Sequence, residues 1–138
     1  MSGERSLFER IDRAGEERER TRRVQTDQML ESVMMHLQKM LNVRQGNVPA
    51  LPAYGLPDFN DLASRFPNAI NELQRAIKTS IEQYEPRLKR VRIRHVPDEE
   101  NPLNLRFEIT AQLVAGEDKA PIWFETSLNT AGRVSIRG

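Results

Sequence analysis

The apolar residues of this 138-residue chain change their spacing part of the way along. They recur three and four residues apart before Pro86 and every second residue after it. Because an α-helix repeats every 3.6 residues and a β-strand every two, this change predicts helices followed by strands. A first helix is predicted over 25–41, with Thr26 or Asp27 to cap its start. Its apolar stripe consists of Met29, Leu30, Val33, Met34, Leu37, Met40 and Leu41.

The segment 42–60 interrupts the helical pattern with three prolines and two glycines, which argues against regular secondary structure. It also carries apolar and aromatic residues such as Leu51 and Tyr54, whereas a flexible linker would be polar. The segment is therefore predicted to be an ordered loop held against the core. A short helix is predicted over 60–66, followed by a longer helix that Pro67 begins and Pro86 ends.

Four strands are predicted in the last third of the chain, over 88–96, 103–114, 122–128 and 133–137. The second strand alternates cleanly from Leu103 to Leu113, which is typical of a strand with one buried face. The connections are short, so the strands are expected to form an antiparallel meander. The predicted fold is α+β, with N-terminal helices packed on one face of a C-terminal antiparallel four-stranded meander sheet.

Residues 1–24 form a highly charged arm that precedes a single α+β domain, predicted over 25–138. The arm carries Leu7, Phe8 and Ile11 at positions i, i+1 and i+4, which is one apolar cluster on a helix. Two interpretations are open. The arm is either a frayed tail or a short amphipathic helix that docks on a partner protein.

The composition of the chain argues against several classes of partner and chemistry. The chain has 21 basic and 20 acidic residues, so its net charge of +1 does not favour nucleic acid or a membrane surface as partner. It has no cysteine, which excludes disulfides, thiol catalysis and zinc–thiolate sites and fits a reducing compartment. No apolar run approaches the roughly 20 residues that a spanning helix needs. These features predict a soluble, cytoplasmic protein without direct membrane insertion.

Catalytic chemistry finds little support in the sequence. Neither His36 nor His95 has a metal-ligating residue at a suitable spacing, so no cofactor or metal is expected. A glycosidase needs two carboxylates, one of them with a raised pKa. Glu85 is the one acid in a distinctive setting, but Arg87 two residues away would lower the pKa of its carboxyl. Hydrolase activity is therefore disfavoured.

The stretch "YEPRLKRVRIRH" contains a row of arginines, Arg90, Arg92 and Arg94, at alternate positions of the first predicted strand. Such a row could follow phosphates, but stacking aromatics are not interleaved with it. A row that faces solvent or an acidic protein partner is therefore favoured over nucleic acid. Just before it, Pro86 stops the helix, and Glu85 and Arg87 are predicted to hold the joint between helix and strand. Whether these two pair with each other or with a neighbouring protein stays open.

Ser32–Phe59, "SVMMHLQKMLNVRQGNVPALPAYGLPDF", closely resembles the "LNTRQG…YGLPD" signature of the TssE family of type VI secretion baseplate subunits. Glu85–Arg87, "EPR", matches the central triplet of that family, and "RFEITAQLV…IWFETSLNTAGRVSIRG" matches its C-terminal sheet. The start "SLFERI" is also similar, so the resemblance covers nearly the whole chain. Val43 stands where the family commonly has threonine, which is a mild departure.

The resemblance implies a structural role without catalysis, although the related phage wedge protein is often filed as lysozyme-like. The family implies a position in the cytoplasmic baseplate at the inner-membrane complex, beside the wedge subunits TssF and TssG. It also implies that the sheet templates the first ring of the contractile sheath, built from TssB and TssC, by strand addition. The open edges of a meander sheet are suited to that role. The alternative function is a peptidoglycan glycosidase.

Overall fold

The computed structural model describes the backbone of residues 2–138 and the side chains of residues 13–138. The helices are α1 (Ser2–Leu41), α2 (Phe59–Arg65) and α3 (Ala69–Tyr84). The strands are β1 (Leu88–Val96), β2 (Leu105–Ala115), β3 (Asp118–Leu128) and β4 (Val134–Arg137). They form one antiparallel sheet in the order β1-β2-β3-β4, which confirms the predicted α+β fold. None of the described helices is long and apolar enough to cross a membrane.

The chain divides into two compact units, Met1–Ser32 and Val33–Gly138. In the first unit α1 already runs from Ser2, so the predicted start of the helix near Gln25 was too late. The many arginines and glutamates of this segment are good helix formers, and Arg23 and Glu19 pair across one turn at 3.5 Å. Leu7, Phe8 and Ile11 lie outside the side chains that the structure describes.

The core of the second unit lies between the helices and one face of the sheet. Its largest fully buried apolar side chains are Phe107, Phe124, Leu37, Met40, Leu41, Leu73, Ile77, Ile81, Leu88, Ile109 and Leu113. In α1 and α3 these residues follow the helical spacing, and in β2 they are the odd-numbered positions. The opposite face of the sheet carries polar residues and faces away from this core.

Beyond α1, the starts of three elements differ from the prediction by two residues or more. Helix α3 begins at Ala69 with Asn68 as its cap, so Pro67 lies in the preceding turn. Strand β2 begins at Leu105, and Leu103, although apolar and in phase, is 72% exposed. Strand β3 begins at Asp118, because a two-residue turn at Gly116, with φ of 63°, already reverses the chain.

Candidate assembly site

The triplet Glu85–Arg87 forms a compact ion-pair cluster where α3 passes into β1. Glu85 ends the helix by donating its backbone N–H to the carbonyl of Ile81 at 2.9 Å. Its carboxylate is only 1% exposed and receives two bonds from the Arg87 guanidinium, Nε to Oε1 at 2.7 Å and an Nη to Oε2 at 2.9 Å. His36 Nδ1 lies 2.7 Å from Oε2 of the same carboxylate. Glu85 and Arg87 therefore pair within this chain.

The electrostatics of the cluster keep Glu85 ionised. Burial alone would raise the pKa of Glu85, but the hydrogen bonds from Arg87 and His36 and the positive charge of Arg87 outweigh it and lower that pKa overall. The bond to Glu85 in turn raises the pKa of Arg87. A general acid must hold its proton near neutral pH, so this carboxyl has the wrong direction of shift for that role.

The proline-rich loop is fastened to the same region. The Tyr54 hydroxyl lies 3.4 Å from His36 Nε2, and its ring packs edge-on against Tyr84 with centroids 5.2 Å apart. The carbonyl of Gly55 accepts a bond from the buried Ser80 hydroxyl of α3 at 2.8 Å. Gly55 has a φ of 97°, and a Cβ there would lie 2.1 Å from the carbonyl oxygen of Val43. The segment is thus an ordered loop, as predicted, but Tyr54 fastens it, whereas Leu51 is 40% exposed.

The predicted arginine row lies on β1, but the strand is irregular there. The pairing of β1 with β2 shifts between Lys89 and Arg92, and Arg90 within this bulge has a positive φ of 53°. Arg90, Arg92 and Arg94 are all exposed. Arg94 forms an ion pair with Glu108 on β2, whereas Arg92 stands opposite Thr110. One end of the row is therefore already neutralised within the sheet.

The open face of the sheet also carries a large aromatic residue. Trp123 on β3 is 48% exposed and stands opposite Thr110 on β2. An ion pair between Arg106 and Glu125 at 2.8 Å lies on the same face, two positions further along β3. The open face thus combines one exposed tryptophan with paired and exposed charges, which is a composition found at protein interfaces.

The outer edge of β4 is occupied by two amide side chains, one from the last turns of α1 and one from Asn42, the residue that follows the helix. Asn42 Oδ1 accepts the N–H of Val134 at 2.9 Å, and Asn42 Nδ2 donates to the carbonyl of the same residue at 2.9 Å. Gln38 Nε2 also donates to that carbonyl, and Gln38 Oε1 accepts the N–H of Ile136 at 2.9 Å. The N–H and C=O of Val134 and the N–H of Ile136, which β4 would otherwise present outward, are therefore bonded.

Several of these residues escaped the sequence analysis. The spacing around His36 argued against a metal site but gave no sign of its contact with Glu85, which joins residues 49 positions apart. Gln38 and Asn42 directly follow the buried Leu37 and Leu41, and polar residues beside an apolar stripe carry no distinctive signal. Trp123 falls on the polar phase of β3, which was the one available indication that it faces away from the core.

The comparisons with known proteins agree with this architecture. The family model described as "Baseplate wedge protein gp25" matches residues 27–118. No curated protein matches the chain. A solved chain from "The baseplate complex from the type VI secretion system" superposes with a TM-score of 0.58 at 24% identity. The match covers 77% of this chain and 98% of that one, and at this identity it shows a shared fold. The family match spans most of the chain, which therefore belongs to the baseplate wedge protein gp25 family and is a structural subunit of a baseplate.

Proposed function

We propose that this chain is a TssE-type subunit of a type VI secretion baseplate wedge, acting without catalysis in the cytoplasm at the inner-membrane complex. In this role it binds the wedge subunits TssF and TssG and docks the first ring of the TssB–TssC sheath by strand addition. The observation that carries the proposal is the one-sided sheet, whose helices cover one face while the polar face and Trp123 point outward. Family membership and the shared fold support it.

Within this proposal the arginine row and the arm are partner-binding elements. Arg90 and Arg92 are exposed on the strand at one side of the sheet and favour an acidic surface. Arg94 adds less, because Glu108 already neutralises it. Leu7, Phe8 and Ile11 of the arm supply an apolar contact for a wedge partner. The triplet Glu85, Pro86 and Arg87 holds the joint of α3 and β1 and so fixes the orientation of this surface.

The alternative, a peptidoglycan glycosidase acting through Glu85, is disfavoured by geometry. Both carboxylate oxygens of Glu85 already accept hydrogen bonds from Arg87, and one also contacts His36. The side chain is buried and its pKa is lowered, whereas a proton donor to a sugar needs an accessible carboxyl with a raised pKa. Cell-wall hydrolysis that is lost in Glu85→Gln, with the fold intact, would establish the glycosidase instead.

The assembly proposal is tested by co-purification with TssF and TssG at two salt concentrations. We expect the charge-reversal variant Arg90→Glu/Arg92→Glu/Arg94→Glu to lose most of the complex, and the wild-type complex to weaken with salt. The matched control reverses three exposed charges on the helices, Arg65, Arg75 and Lys78. If both triple variants bound TssF and TssG equally well, the arginine row would not be part of the interface. If the wild type did not bind them, the wedge assignment would be refuted.

A further inference from the structure

The hydrogen bonds on the outer edge of β4 reproduce those of a neighbouring strand. In an antiparallel ladder two facing residues exchange two bonds, N–H to C=O in each direction. The Asn42 amide makes both of these bonds with Val134, and the Gln38 amide continues the pattern to Ile136. Together the two side chains occupy three of the four outward N–H and C=O groups of these two residues.

The spacing of the two amides explains why they can make the hydrogen bonds of a neighbouring strand. Gln38 and Asn42 are four residues apart on a helix, which corresponds to a rise of about 6 Å. Val134 and Ile136 are two residues apart on a strand, which corresponds to about 6.8 Å. The last turn of α1 together with the residue that follows it therefore presents two amides in register with alternate residues of β4. This correspondence applies to the part of α1 that belongs to the second unit, Val33 onward.

We propose that the outer edge of β4 is the strand-addition site and that Gln38 and Asn42 are placeholders which an incoming strand displaces. The proposal rests on the sheath docking proposed above. It adds which edge of the sheet receives the strand and which side chains close that edge beforehand. A backbone strand would take over the bonds to Val134 and Ile136 while the two amides turn to water, so few bonds are lost in the exchange. Until then the edge is protected from pairing with unrelated strands.

The opposite edge of the sheet is less suited to a new strand. Strand β1 is bulged between Lys89 and Arg92, and a bulge bends the edge and increases its twist. The only bond from a side-chain amide described on that edge is from Gln74 to the carbonyl of Ile93 at 2.9 Å. The regular edge of the sheet is therefore the one that the amides of Gln38 and Asn42 occupy.

The surroundings of β4 define the partner as an extended segment with an acidic residue on its outer face. Arg137 lies in β4 opposite Glu125 and is exposed, so an acidic side chain across from it on the new strand would complete a charge ladder. Met35 lies one turn before Gln38 on the same side of α1 and is 57% exposed. Its flexible thioether can cover an apolar residue on the inner face of that strand.

The experiment measures binding of the TssB–TssC complex to three forms of the full chain. The test variant is Gln38→Ala/Asn42→Ala, and the matched control is Gln74→Ala, which removes an amide from the opposite edge. We expect the double variant to bind about tenfold more tightly than the wild type, and the control to bind like the wild type. Tighter binding by Gln74→Ala alone would move the site to β1 and overturn the proposal.

Hydrogen exchange of the Val134 and Ile136 amides gives the second readout. We expect these amides to be protected in the wild type, to exchange rapidly in the double variant, and to be protected again when TssB–TssC binds. If the double variant fails to fold, the two single variants replace it: Gln38→Ala should speed the exchange of the Ile136 amide, and Asn42→Ala that of the Val134 amide. Exchange that stays slow in a folded variant that has lost the corresponding acceptor would overturn the proposal, since the edge would then be closed by something else.

The failure of sheath docking can be distinguished from the failure of the exchangeable edge. If neither the wild type nor any variant binds TssB–TssC, the docking function fails, and the edge is then tested by sedimentation of the chain alone. A double variant that dimerises, with Val134 and Ile136 protected as concentration rises, would support an exchangeable edge. A double variant that stays monomeric would overturn it.

Discussion

Replacing Arg87 with alanine tests the cluster at the joint of α3 and β1. In the wild type the Glu85 carboxylate is only 1% exposed, and the change removes the guanidinium that donates two hydrogen bonds to it, which leaves His36 as the side-chain partner in contact. Removing one member of a buried ion pair costs roughly 3–5 kcal/mol, because the other charge stays buried without compensation. Glu85→Ala should cost less, about 1.5–3 kcal/mol, because the Arg87 side chain is 33% exposed and water can solvate it. The expected order of stability is wild type, Glu85→Ala, then Arg87→Ala.

Urea unfolding followed by circular dichroism at pH 7 measures these differences. The double variant Glu85→Leu/Arg87→Ala removes the buried charge as well, and should recover much of the loss seen in Arg87→Ala. Lys78→Ala is the control, because its pair with Glu82 joins two half-exposed side chains at 3.8 Å and should contribute less than about 1 kcal/mol. A loss in Arg87→Ala no larger than in Lys78→Ala would refute the view that this cluster holds the joint.

Three further predictions concern the same region. The pKa of Glu85 is lower in the fold than its ordinary value of 4.5, so the unfolded chain takes up the proton first as pH falls. The stability advantage of the wild type over Glu85→Gln should therefore be full above pH 4.5 and shrink below it, as unfolding curves at several pH values will show. Gly55→Ala should destabilise more than Gly46→Ala in thermal unfolding: both sites have positive φ, but only at Gly55 does an added Cβ meet the carbonyl of Val43. Ser80→Ala should cost about 1–2 kcal/mol in urea unfolding, because it removes the hydroxyl that donates to the loop; an unchanged midpoint would mean that this bond does not fasten the loop.

The helices and strands were predictable where the regular spacing of apolar residues was long and uninterrupted. Strand β1 has the predicted bounds of 88–96, and the switch of period at Pro86 places the joint between helix and sheet correctly. The predicted boundaries are wrong where turns or prolines interrupt the regular spacing of apolar residues or where that spacing continues beyond the strand. Leu103 continues the alternation of β2 but lies before the first paired residue, and the third strand is predicted to begin after Pro121, which in fact lies in β3. Proline is tolerated there because β4 pairs only with Glu125–Leu128, which leaves that stretch of β3 at the edge.

The candidate site was predictable only as far as its members are neighbours in sequence. Glu85 and Arg87 are two residues apart, so their pairing could be expected from spacing. His36 and Tyr54 reach the same cluster from 49 and 31 positions before Glu85, through the packing of α1 and of the loop. The burial of Glu85 also depends on that packing. Contacts between residues distant in sequence follow from tertiary structure, and a single sequence contains no spacing or motif that predicts them.

The last turns of α1 are held on two sides, and this bears on how the edge of β4 can open without loss of the fold. His36 contacts the Glu85 cluster, whereas Gln38 and Asn42 contact β4, and a separation of two residues on a helix turns side chains by about 200°. A strand that displaces the two amides removes only the second set of bonds. The buried residues Leu37 and Leu41 and the contact of His36 with Glu85 keep the helix in place. The cluster at the joint therefore provides the rigidity that an exchangeable edge requires.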